Sequence, residues 1–129
     1  MEWRPIGGAG ERYPKWLRDL DGKSGVYAIR RRGWLTTEVL YVGESHTGSL
    51  YKTLTRHFQK WSRSKGSRDW WRITAAYRPE QTDPGHTYER DGQIEVAIET
   101  ATPARAVELQ YEWIEKLKPR DNKLEEVPF

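Results

Sequence analysis

The chain has no cysteine, which removes disulfides and thiolate metal sites from consideration. It also has no apolar run long enough to span a bilayer or to read as a signal peptide, so the cytoplasm is the default compartment and no membrane is expected as a partner. Internal repeats and low-complexity segments are lacking too. At 129 residues the chain is about one domain long, enough for one sheet and a few helices but not for two independent cores. Net charge is small, only +3, yet Lys and Arg gather at Arg30 to Arg32 and from Lys52 to Arg72. A local positive field of that kind suits an anionic partner, although a merely solvated basic surface gives the same composition. Seven tryptophans are many for this length; some belong in a core and others are suited to packing on a partner.

Met1 to Gly10 is Gly-rich and reads as a short arm, and Pro14 to Leu20 as a brief helix before the Asp21-Gly22 turn. Residues 25–31 and 38–43 are β-prone around a turn-like stretch, which predicts an antiparallel hairpin. With pairing centred near Trp34, Tyr27 falls opposite Tyr41, and opposed side chains share a face of the sheet. Residues 49–63 read as an amphipathic helix with Leu50, Leu54, Phe58 and Trp61 on one face and Lys52, Arg56 and Lys60 on a separate ridge. His57 falls inside the apolar arc and should point toward the sheet.

Two more strands are expected near 70–78 and 93–100, joined by a stretch rich in turn residues. Thr102 followed by Pro103 is a strong helix start, and helical periodicity continues to about Lys118 before Pro119. On that helix Ala106, Leu109, Trp113, Ile114 and Leu117 face inward, with Gln110 in the middle of the apolar arc and Glu108, Glu112 and Glu115 opposite. The tail from Lys123 is loosely held in this reading. The fold class is therefore α+β, one domain over 1–129 with a small, mainly antiparallel sheet and flanking helices.

Gly25-Val26-Tyr27, then Tyr41-Val42-Gly43, then a helix carrying Arg56 and His57 resembles the signature of the GIY-YIG nucleases, with valine for isoleucine twice. The resemblance implies a three-stranded sheet flanked by helices and a surface that hydrolyses phosphodiesters of DNA. On that likeness Tyr27 is the general base or water-positioning group, and Tyr41 holds the phosphate or orients the water, with Gly25 and Gly43 as site support. A phenol with a pKa near ~10 needs activation by its neighbours for this task. The family commonly places an arginine four residues before a histidine; here that position is Thr53, and Arg56 or Lys52 must fill the phosphate-binding role. His57 matches the pattern directly and is suited to a phosphate contact or a proton relay.

The last helix continues the likeness. The family's metal-binding glutamate is followed by an apolar residue, a proline and an asparagine at spacings that give Gln110, Ile114, Pro119 and Asn122 here. The resemblance implies one divalent ion, Mg2+ or Mn2+, at position 110, but hard cations require anionic oxygens and an amide offers a neutral one. Metal binding should therefore be weak or absent, and cleavage by the chain as written slight. Gln110 reads either as an isosteric replacement in an active nuclease or as a natural loss in a module that only binds. Asn122 is expected to brace the site or cap the helix.

Trp61, Trp70 and Trp71 interleave with Lys60, Arg63, Lys65, Arg68 and Arg72, a pattern suited to phosphate neutralisation and base stacking. The expected partner is DNA, duplex or branched. Cutting both strands needs two active sites, so a homodimer, successive nicking or a larger assembly all remain open.

Overall fold

The computed structural model describes residues 1–59 and 86–122. In chain order the elements are β1 (Arg4–Pro5), α1 (Lys15–Arg18), β2 (Gly25–Arg32), β3 (Thr37–Ser45), α2 (Leu50–Thr55), a 3-10 turn (Arg56–Phe58), β4 (Ile94–Thr100) and α3 (Pro103–Leu117). Among the described residues the strands form one antiparallel sheet in the order β1-β4-β2-β3, an α+β fold as the periodicities predict. The expected strand near 70–78 lies outside the described residues, as does the 60–63 end of the expected helix.

Alternation along β2 sorts the core. Tyr27 and Ile29 pack with Ile94 and Val96, with Leu17 of α1 and with Leu50 and Leu54 of α2. Val26 and Ala28 point the other way, onto Val42, Ala97 and the Leu109 and Trp113 side chains of α3. The sheet is thus covered on both faces, which explains why five consecutive residues of β2, Gly25 to Ile29, are buried.

Three expectations need correction. The N-terminal stretch is not a free arm: β1 pairs with β4, Ile6 is fully buried, and Arg90 donates to the Ile6 and Glu11 carbonyls at 2.7 and 2.8 Å. The helix expected over 49–63 stops at Thr55, tightens into the 3-10 turn and meets an extended Gln59. The basic cluster at Arg30 to Arg32 is partly neutralised within the fold, because Arg30 pairs with Glu95 of β4 at 2.7 Å and Arg31 with Asp91, while Arg32 stays exposed. By contrast α3 begins where expected, with the Thr102 hydroxyl accepting from the Arg105 amide and Pro103 opening the helix.

After α3 the chain turns at Lys118, in the left-handed region at φ 48°, and runs beside β3. The Arg120 and Asp121 amides donate to the Val39 and Leu40 carbonyls at 3.0 and 2.9 Å. Asn122 continues the pairing with its side chain: Oδ1 accepts from the Val42 amide at 2.8 Å and Nδ2 donates to its carbonyl at 2.9 Å. It thereby ties the chain after α3 to Val42 of β3, while the helix cap itself is Lys118. Among the described residues no helix is long and apolar enough to cross a membrane.

Candidate active site

Tyr27 and Tyr41 do share a face, but not by direct opposition. Tyr27 pairs with Gly43, and Tyr41 with Ile29. The Arg32–Thr37 pairing places the turn centre between Trp34 and Leu35, half a residue beyond Trp34, which shifts the partner of any residue by one. Leu40, left without a partner at a β-bulge, shifts it by one more. A single slip would have sent the tyrosines to opposite faces, whereas two restore the shared face with a diagonal offset. Their ring centroids stand 6.4 Å apart.

Both motif glycines are explained by close approach. A Cβ on Gly25 would lie 2.3 Å from the Glu99 carbonyl oxygen, and one on Gly43 would lie 2.3 Å from the Tyr27 hydroxyl and 2.4 Å from Cζ of its ring. The Tyr27 ring therefore rests directly on the Gly43 backbone. Gly43→Ala is expected to cost about 2 kcal/mol through overpacking of a fully buried phenol, read as a lower urea midpoint. Adding Tyr27→Ala removes the clash, so the two changes should cost less together than their sum.

His57 sits against this ring in the 3-10 turn, 1% exposed, pointing inward as the wheel predicts. Its ring lies 5.6 Å from Tyr27 and 4.6 Å from Tyr41, centroid to centroid. Nδ1 stands 2.6 Å from the His86 carbonyl oxygen. A carbonyl only accepts, so Nδ1 carries the proton; burial pushes the imidazole down to about 4, so the ring is neutral and Nε2 is an acceptor. The Tyr27 hydroxyl, 2.7 Å away, is then the donor to Nε2. Burial also raises the Tyr27 pKa well above the ordinary phenol value, with the Tyr41 phenol adding to the rise and the Arg56 guanidinium opposing it.

The Arg56 guanidinium reaches back to the Thr53 hydroxyl at 3.1 Å, which carries its charge toward the preceding turn of α2. Lys52 is exposed on α2. Lys60, Arg63, Arg68, Trp70 and Arg72 lie outside the described residues.

Sequence reasoning missed the segment that holds His57 in place. The Tyr88 amide donates to the His57 carbonyl at 2.7 Å, the His86 ring stacks 5.3 Å from Tyr41, and the Tyr88 hydroxyl donates to Asp121 at 2.7 Å. The Arg120 guanidinium holds the Asp121 carboxyl below its usual range, helped by the Tyr88 bond against a partial burial that opposes it. The available signal was the two-residue spacing of His86 and Tyr88, a strand-like alternation inside a stretch otherwise read as turn.

Gln110 is half-buried beside Leu109 on α3, and α3 packs on the face of the sheet opposite Tyr27 and α2. The two helices serve opposite sides of the sheet: β2 alternation sends Tyr27 to α2 and Val26 and Ala28 to α3. Among the described residues no group of three or more His, Asp or Glu side chains is placed to hold a metal ion. With a neutral amide at position 110, these residues do not fit a divalent cation. Scans against protein-family models, curated proteins and solved structures return no match to this chain.

Proposed function

We propose that this chain is a GIY-YIG-type DNA endonuclease domain, a phosphodiester hydrolase, with a Tyr27–His57 proton relay on one face of the sheet and, on the helix of the other face, a neutral Gln110 where the resemblance puts the metal-binding glutamate. The observation that carries the reading is the Tyr27 to Nε2 hydrogen bond, with Nδ1 fixed by the His86 carbonyl. Tyr27 and His57 are each 1% exposed, so the relay requires DNA binding to open a path to them; a water admitted to the phenol oxygen then loses its proton to Tyr27 as Tyr27 passes its own to His57. No free phenolate forms, which matters because burial disfavours that anion. His57 is a weak base by itself at a pKa of about 4, and a phosphate dianion developing beside it raises its proton affinity. Arg56 supplies charge near that phosphate, at the edge of α2.

A second reading, a nucleic-acid-binding module without cleavage, is favoured by Gln110, whose neutral amide stands where the resemblance puts the metal-binding carboxylate. The test is a paired assay of the chain as written and of Gln110→Glu. Restored nicking of plasmid or branched DNA that requires Mg2+ or Mn2+ is expected only for the variant, with equal DNA binding by both. Equal binding with no nicking by either protein rejects the nuclease reading in favour of the binding module. DNA affinity should also fall steeply with salt as phosphate contacts are screened.

A further inference from the structure

We propose that the tip of the β2–β3 hairpin is a wedge that stacks against unpaired or splayed DNA bases, an inference that rests on the nucleic-acid reading above. Trp34 is 93% exposed and Leu35 82%, the most exposed large apolar side chains among the described residues. The tip is held in shape: the Gly33 amide donates to the Thr36 carbonyl at 2.8 Å, and a Cβ on Gly33 would lie 2.4 Å from that oxygen. It projects beyond β4, whose pairing with β2 ends at Arg31 opposite Ile94.

Charge chooses the occupant. Arg32 is exposed beside the tip, residues 33–37 contain no acid, and the nearest carboxylate, Glu38, is engaged by Arg120 at 3.3 Å. An indole and a branched aliphatic side chain next to a cation match the chemistry of base steps flanked by phosphates. A protein partner fits less well, because a two-residue tip falls far short of the roughly 800 Å2 per side that stable interfaces bury. The same hairpin carries Tyr27 and Tyr41. Leu35 and Tyr41 are six positions apart, at most about 20 Å at the ~3.3 Å rise of a strand, so the wedge and the tyrosine cluster lie within reach of one DNA molecule.

The test uses fluorescein-labelled Y-shaped DNA carrying 2-aminopurine at the fork, bound to the chain as written and to Trp34→Ala and Trp34→Phe. Trp34→Ala is expected to weaken binding about tenfold, with the salt slope unchanged and the 2-aminopurine response lost, while phenylalanine retains most of the affinity. Unchanged affinity of Trp34→Ala overturns the wedge, and so does a self-associated species in sedimentation that this substitution dissolves. If the chain as written binds no DNA even at low salt, the nucleic-acid reading fails first. That outcome is distinct from a wild-type complex indifferent to Trp34.

Discussion

In a chain carrying Gln110→Glu, a second change of Tyr27 to phenylalanine is expected to lower the nicking rate at least about 100-fold, the contribution typical of a positioned acid–base group. The ring still fits over Gly43, because only the hydroxyl is lost. DNA affinity should be unchanged, since in this relay the Tyr27 hydroxyl meets the attacking water and His57 and makes no direct contact with the duplex. The variant leaves His57 Nε2 buried without its donor, at a cost of about 1–3 kcal/mol, so the folded fraction must be measured alongside the rate. A folded Tyr27→Phe variant that nicks at the parent rate rejects the relay.

Acid is expected to unfold the protein through His57. Its folded pKa, about 4, lies below the ordinary value near ~6.5, so the unfolded chain binds the proton first as pH falls. The stability from the neutral buried ring is fully present above about pH 6.5, is lost as pH falls toward 4, and levels off below. Over that window the loss amounts to about 3 kcal/mol, from about 2.5 pKa units at ~1.36 kcal/mol each. Urea midpoints measured across the window should show this slope in the chain as written and a flatter one in His57→Gln. Equal slopes in the two proteins remove the titration from His57. Asp121, whose folded pKa is depressed, adds a loss of the same sign, common to both proteins, that sets in only as pH falls below its ordinary carboxyl value and so lies beneath the His57 window.

Local signals read from the sequence were the ones that depend on neighbours in the chain. The Thr102-Pro103 start, the β-prone run of β2 and the inward turn of His57 follow from short-range chemistry, and all are present. What escaped depends on distant partners. No periodicity announces the Leu40 bulge, and without it the offset between Tyr27 and Tyr41 has the wrong parity. The residues that orient His57 come from 86–88, nearly thirty positions away, and their backbone groups make two of the decisive bonds. A helical wheel says which face of α3 is apolar but not which face of the sheet it covers. The β1 strand escaped for a related reason: its pairing with β4 is entirely non-local.

The chain that follows α3 has a consequence for self-association. An outer strand normally offers a row of vacant amides and carbonyls to any neighbouring chain, a template for runaway pairing. Here Arg120 to Asn122 lies along the outer side of β3, and the Asn122 amide satisfies both main-chain groups of Val42. The opposite border, β1, is only two residues long and contains Pro5, which has no amide to donate. At Val39, Leu40 and Val42 on one border, and at Glu95 and Val96 behind the short β1 on the other, main-chain groups are therefore already engaged and closed to a second copy of the domain.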